Sequence, residues 1–180
     1  MMQTEDGGDF REEGARNLDV WLKNYMVDPG KFPDDDDNSQ EFQDLLKGIE
    51  IMNQNCTIEN ERYNIIEAIV DEDTEENITH RMAEHDHTSY MLCLSDHITE
   101  KDLHLLLQKE NVEGLTPFHR AITLNHNKFF LETAARLPSD DLLRLIAPSI
   151  KCQSVLRVID MMATDLLLEL ATINVSAAQA

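Results

Sequence analysis

The sequence predicts an all-α protein whose helix pairs stack on one another. Leucine and isoleucine recur at helical spacing, and the 180 residues include only six glycines and five prolines, with no alternating strand pattern. Residues 77–103 also match residues 116–142 at a constant offset of 39 positions. Because one helix pair cannot bury its apolar face alone, a repeated pair predicts a stacked solenoid.

The N-terminal part of the chain is predicted to cap this stack. Residues 1–16 are rich in Asp, Glu and Gly, which predicts a disordered acidic tail. An amphipathic helix then carries apolar side chains at helical spacing, namely Leu18, Trp21, Leu22, Tyr25 and Met26. Two further helices, with caps at Asn38 and Thr57, complete the predicted N-terminal capping helices at 17–76.

Two acidic runs lie within this region. The first consists of four consecutive carboxylates, Asp34, Asp35, Asp36 and Asp37. The second is 71–76, with five carboxylates in six positions. A calcium-binding EF-hand loop needs Gly at its sixth position and Glu at its twelfth, but counting from Asp34 gives Ser39 and Leu45. The second run fails the same test, so both runs are predicted to be solvated loops.

The repeat divides the rest of the chain. His80 and Arg81 align with His119 and Arg120, and a capped, Leu-rich segment follows each helix pair. The alignment predicts a diverged repeat at 77–113, a second repeat at 114–150, a C-terminal cap at 151–173 and a short tail at 174–180.

The second repeat opens with a fully specified helix start. Gly114 permits a tight turn, Thr116 offers an oxygen that caps the first amides, and Pro117 has the φ angle of a first helical residue. Residues 114–121, Gly-Leu-Thr-Pro-Phe-His-Arg-Ala, resemble the Gly-x-Thr-Pro-Leu-His-x-Ala signature of ankyrin repeats. The upstream repeat lacks the Thr-Pro pair. The period also exceeds the length of about 33 residues typical of ankyrin and suits armadillo or HEAT repeats, the alternative fold.

The resemblance implies a scaffold or adaptor that binds another protein through its repeat surface, with His119 holding the turn to the helix. On this analogy, the candidate contact residues before the signature are Glu110, Asn111, Val112 and Glu113. The turn between the two helices supplies weaker candidates, Asn125, His126 and Asn127. Diverged ankyrin-like proteins also occur among the effectors that intracellular bacteria deliver into host cells, which is a further expectation from the resemblance.

The charge constrains the partner. The net charge is −20, and residues 1–90 hold 24 acidic and 7 basic residues, a net of −17. This sign disfavours nucleic acid and anionic lipid and favours a basic protein partner. The alternative function is an acidic inhibitor or regulatory subunit, in which Asp34–Asp37 and 71–76 occupy a basic groove of the target.

Enzyme chemistry has little support in the sequence. His80 and Glu84 are four residues apart on a predicted helix, but the repeat alignment explains His80 and His87 as scaffold residues. Cys93 lies beside His97 on a predicted helix and is expected to be a buried, inert thiol. We therefore expect no catalytic residue, metal or cofactor. Three widely spaced cysteines, no apolar run of 18 residues and no signal-like start predict a cytoplasmic protein without a membrane span.

Overall fold

The computed structural model describes residues 9–32, 39–55 and 70–138, together with positions 142, 144, 145 and 168. Over these residues the chain forms seven α-helices and one 3-10 turn, and it has no strand beyond an isolated bridge between Val70 and Asn77. The all-α prediction is confirmed for this part of the chain. Among the helices described, none has the length and apolar character needed to cross a membrane.

The helices form an N-terminal pair followed by two repeated units. The pair comprises α1, Asp9–Val27, and α2, Gln40–Asn55, with a 3-10 turn at Pro29–Lys31 between them. Unit 1 comprises α3 (Ile78–Glu84), α4 (Thr88–Ser95) and α5 (Glu100–Gln108). Unit 2 comprises α6 (Pro117–Leu124), α7 (Asn127–Ala134) and the helical positions 142, 144 and 145.

Helix α1 begins earlier than predicted. It starts at Asp9, so the second half of the acidic tail predicted at 1–16 is helical. The residues 10–16 include Arg, Glu and Ala, which favour helices. Acidic composition alone was therefore a poor guide to disorder here.

Several predicted segments lie outside the described residues. These are the carboxylates Asp34–Asp37, the helix after Thr57, the C-terminal cap at 151–173 apart from the exposed helical residue Leu168, and the tail at 174–180.

Aromatic side chains attach the N-terminal pair to unit 1. Trp21 stacks on Tyr25 with ring centroids 5.2 Å apart, and Tyr90 of α4 lies 5.8 Å from Trp21. Phe42 of α2 meets Tyr90 edge-on at 5.4 Å. The indole N–H of Trp21 donates to the carbonyl of Glu41 at 2.9 Å, so the one polar atom of this ring is bonded. These contacts bury the end of unit 1 against α1 and α2.

The two units have similar backbone conformations as well as similar sequence patterns. Helix α3 packs on α6, and α4 packs on α7. Left-handed φ angles recur at the predicted offset, with Asp86 at 56° and Asn125 at 61°, and with Glu75 at 57° and Gly114 at 76°. Because non-glycine residues seldom adopt positive φ, this recurrence shows that corresponding turns of the two units have similar backbone conformations.

Candidate functional site

Two turns, which we call turn A (71–76) and turn B (110–115), precede the first helix of each unit. In turn A, the Asp71 side chain accepts the backbone N–H groups of Asp73 at 3.0 Å and Thr74 at 2.9 Å. The backbone bond from Thr74 is the main cause of the lowered pKa of Asp71, and the Arg81 guanidinium adds a smaller effect. Asp71 is therefore a structural carboxylate of turn A.

Asn111 has the same role in turn B. Its side-chain oxygen accepts the N–H groups of Glu113 at 3.0 Å and Leu115 at 2.9 Å. Its side-chain nitrogen donates to Glu76 at 3.1 Å. Only 2% of Asn111 is exposed, so this residue is buried and its polar atoms are already bonded inside the protein. Asn111 is therefore no longer a candidate contact residue, because its side chain is bonded within turn B and to Glu76.

Turn B is bonded to turn A and to unit 1 at three levels. At the tip, the N–H of Val112 donates to the carbonyl of Thr74 at 3.0 Å. In the middle, Asn111 contacts Glu76. At the base, the imidazole Nε2–H of His80 donates to the carbonyl of Leu115 at 3.0 Å. The two turns consequently lie side by side and present one continuous edge.

The exposed residues of this edge form what we call the turn-tip surface, namely Glu72, Asp73, Glu75, Val112 and Glu113. Val112 is 52% exposed, and 61% of the Glu113 side chain is exposed. Four of the five residues carry a carboxylate, so the surface is strongly acidic around one apolar side chain. Val112 and Glu113 were predicted as contacts, and Glu110 is half-buried beside them.

From the sequence, turn A was predicted to act only through its run of carboxylates, in the acidic-inhibitor alternative. The pairing of the two turns brings Glu72, Asp73 and Glu75 beside Val112, which separate inspection of each run did not predict. A signal was present in the offset of 39, because Glu75 aligns with Gly114 and thus marks turn A as the counterpart of turn B.

An ionic network lies beneath the turns. Arg81 contacts Glu84 at 3.0 Å and Glu76 at 3.4 Å, while Arg120 contacts the same two carboxylates at 3.4 Å each. Burial alone would lower the pKa of Arg81, but the hydrogen bond and charge of Glu84, with the charges of Glu76 and Asp71, raise it overall. The corresponding arginines of the two units thus share two carboxylates.

Both signature histidines are buried and bonded within helix starts. The N–H of Asn77 donates to Nδ1 of His80 at 3.3 Å, and the N–H of Thr116 donates to Nδ1 of His119 at 3.2 Å. The side chains of Asn77 and Thr116 in turn accept the N–H groups of His80 and His119. Burial lowers the pKa of His80 to about 4, since the charged ring would lose its hydration. Through these bonds, both rings hold the first turn of their helix in place.

The capping residues also reach the last helix of their own unit. Asn77 donates its side-chain N–H to the carbonyl of Leu106 at 2.8 Å, and Thr116 donates its hydroxyl to the carbonyl of Leu145 at 3.1 Å. The two acceptors are again 39 residues apart. The third helix of each unit is therefore tied to the helix start by equivalent bonds.

The other predicted contact residues lie elsewhere. Asn125 and Asn127 are exposed at the end of α6 opposite turn B, while His126 is half-buried and donates Nδ1–H to the carbonyl of Ala83 at 2.8 Å. Helix α6 has eight residues, a length of about 12 Å, so the two candidate sets are separated by this helix. The structure does not bring them into one site.

The remaining candidate groups in the described residues are metal-binding side chains and the Cys93 thiol. No cluster of three or more His, Cys, Asp or Glu residues suited to a metal occurs in this part of the chain. Cys93 is buried, and the neighbouring His97 donates Nδ1–H to the Cys93 carbonyl at 2.8 Å. This bond directs one nitrogen of the His97 ring to the backbone.

Comparisons of the chain with protein-family models, with curated proteins and with solved structures gave no match. The paired turns combine exposed carboxylates with the exposed side chain of Val112.

Proposed function

We propose that this protein is an interaction module of ankyrin-like stacked units that binds a basic segment of a partner protein through the turn-tip surface. The observation that carries the proposal is the exposed side chain of Val112, which lies among four carboxylates on two turns that bond to each other. An exposed apolar side chain on a rigid, charged edge is suited to docking, since binding orders little additional chain.

Support for the ankyrin-like arrangement comes from the unit starts. Thr116 and His119 exchange reciprocal bonds at the beginning of α6, and Asn77 and His80 do the same at α3. Each unit is preceded by a turn that pairs with its neighbour. The third helix, α5 in unit 1, lengthens the unit and accounts for the 39-residue period.

The magnitudes indicate what this surface contributes. An exposed ion pair stabilises a complex by about 0.2–1 kcal/mol, so Glu72, Asp73 and Glu75 give about 1–3 kcal/mol at low salt, while Glu113 already contacts Arg120 at 3.8 Å. Full burial of a valine side chain is worth about 1.5–3 kcal/mol, of which the half that is exposed here gives about 1 kcal/mol. These sums correspond to affinities near the millimolar range, so the turn-tip surface selects a basic partner by charge while a larger contact area supplies tight binding.

Binding of labelled lysine- and arginine-rich peptides to the intact chain tests the proposal, with fluorescence anisotropy as the readout. Peptides of reversed charge serve as probes that should not bind. We expect Val112→Ala and Glu113→Lys to weaken binding. Matched controls are Val20→Ala, at a valine that is 53% exposed on α1, and Glu50→Lys, at an exposed carboxylate on α2. Equal losses in the variants and the controls would refute the turn-tip surface as the binding site.

The acidic-inhibitor alternative is favoured by one observation, the exposure of Glu72, Asp73 and Glu75 together on turn A. Asp71 and Glu76 do not add to it, because both bind Arg81. Charge mimicry predicts binding that falls steeply with added salt and is insensitive to Val112→Ala. Binding that depends on Val112 supports the interaction module instead.

A further inference from the structure

The N-terminal pair carries a solvent-exposed groove of about 340 Å³ between α1 and α2. Val27, which is 85% exposed, continues the stripe of the groove residue Val20 seven residues further along α1. Two exposed apolar side chains therefore share one face of α1. We call the groove the α1–α2 groove and define it by six residues, Val20, Trp21 and Asn24 on α1 and Asp44, Lys47 and Ile51 on α2.

The α1–α2 groove differs in charge from the chain as a whole. The chain has a net charge of −20, but the groove contains one carboxylate, Asp44, and one ammonium group, Lys47. Both side chains are exposed, and Lys47 has no ion-pair partner among the described residues. Asp44 accepts one bond through Oδ1, from the side-chain N–H of Gln40 at 2.7 Å, and a carboxylate can accept several. The groove is thus neutral, partly apolar and able both to donate and to accept.

We propose that the α1–α2 groove binds the same groove of a second copy of this chain and so forms a two-fold symmetric dimer. Asp44 and Lys47 are neighbours on one face of α2 because they are three residues apart. A two-fold axis that passes between them makes the two α2 helices antiparallel and sets Lys47 of each copy against Asp44 of the other. A uniformly basic or uniformly acidic partner would instead meet one like charge.

The register of α1 against α2 allows the same axis to be tested against the apolar residues. The two helices of one chain run antiparallel, because a Cβ at Gly48 would lie 3.3 Å from the Leu18 side chain while the Trp21 indole donates to the Glu41 carbonyl. Continuing this register to the start of α2 places Gln40 level with the last two turns of α1.

This register brings apolar side chains together across the proposed interface. Ile51 follows Lys47 by four residues, and Gln40 precedes Asp44 by four, so the two-fold axis sets Ile51 of one copy opposite Gln40 of the other. Ile51 therefore comes level with the last two turns of the second copy's α1, which expose Val20 and Val27. One axis thus satisfies the charged pair and covers exposed apolar surface.

The expected dimer is weak. The contact involves short stretches of two helices from each copy, and two chains with a net charge of −20 repel each other at long range. Small interfaces of this kind are typical of transient complexes, so we expect a dissociation constant roughly in the micromolar to millimolar range.

Sedimentation equilibrium of the intact chain at pH 7, from micromolar to millimolar protein, tests the proposal without any peptide. Asp44→Lys gives each groove two cations and Lys47→Asp gives each groove two carboxylates, so each variant alone should dimerise at least about 10-fold more weakly. An equimolar mixture of the two variants should form a heterodimer, because one variant then supplies only cations and the other only carboxylates. Two weakened variants that do not associate when mixed would overturn the proposed pairing.

Glu50→Lys is the matched control. Glu50 is exposed on α2 outside the groove, and its replacement changes the net charge from −20 to −18, as Asp44→Lys does. If only overall repulsion mattered, both variants would dimerise more tightly than the wild type. We expect Asp44→Lys to weaken the dimer and Glu50→Lys to leave it intact. Equal effects of the two variants would overturn the proposal, and a wild-type chain that is monomeric at every concentration would leave the groove to another occupant and overturn it too.

A second measurement uses the wild-type chain alone, in case a variant does not fold. Backbone amide chemical shifts that change with protein concentration should map to the groove residues of α1 and α2. Changes confined to other helices, or no changes, would overturn the proposal. Because no peptide is present in these measurements, self-association stands or fails separately from the proposed function.

Discussion

The packing of Phe130 provides the strongest test of how the helix pairs hold together. This ring is fully buried on α7 and meets Phe118 of α6 edge-on, with ring centroids 5.1 Å apart. Phe130→Ala removes the whole ring from a closely packed core and should cost about 3–5 kcal/mol. Because a domain of this size is stable by only about 5–15 kcal/mol, that loss is a large part of the total.

Urea unfolding followed by far-UV circular dichroism measures this loss as a shift of the midpoint at constant slope. Pro117→Ala is the matched control in the same helix pair, since its missing N–H lies at the first helical position and its replacement should change stability by less than about 1 kcal/mol. A double-mutant cycle with Phe118→Ala should show a coupling of about 0.5–1.5 kcal/mol from the edge-on contact. Small and equal effects of Phe130→Ala and Pro117→Ala would refute the buried helix pair.

Three further predictions concern the backbone and pH. Gly48→Ala should lower the free energy of unfolding by up to about 2 kcal/mol in urea titrations, because the added Cβ would lie 3.3 Å from the Leu18 side chain. This crowding outweighs the gain of about 1 kcal/mol in helix propensity, and a stabilised variant would contradict the prediction. Glu75→Gly should stabilise by up to about 1 kcal/mol and Gly114→Ala should destabilise by about 1–2 kcal/mol, since both residues have positive φ angles; effects of the opposite sign would refute the turn geometry. Because the pKa of His80 is lowered in the folded chain, the unfolded chain binds a proton more readily, and the free energy of unfolding should fall by about 3 kcal/mol as the pH drops from 6.5 to 4. Urea titrations at several pH values measure this fall, and His80→Gln should remove it.

The sequence predicted the parts of the fold that depend on local chemistry. Thr116, Pro117 and the offset of 39 located the start of α6 and its counterpart α3, because a cap and a fixed φ angle act within a few residues. The start of α1 at Asp9 was missed. An acidic composition is compatible with either a solvated coil or an exposed helix, and the choice depends on packing further along the same helix.

The candidate site was predicted only in part, for a related reason. Val112 and Glu113 were recognised from their position before the ankyrin-like signature. The burial of Asn111 was not, because it depends on Glu76, which is 35 residues away in sequence and contacts Asn111 only when the turns pair. The exposure of a residue in a turn thus depends on how the neighbouring turn packs against it as well as on the residue itself.

The shared ionic network has a consequence for how the chain unfolds. Glu76 and Glu84 of unit 1 each contact an arginine of their own unit and Arg120 of unit 2. Separation of the units would remove Glu76 and Glu84 from Arg120 and leave its longer contact with Glu113 at 3.8 Å, so the free energy of the interface adds a coupling term to the stability of each unit. Strong coupling between neighbours makes partly unfolded states rare. The two units should therefore melt in a single cooperative transition, and damage to unit 1 should lower the melting temperature of unit 2 by a similar amount.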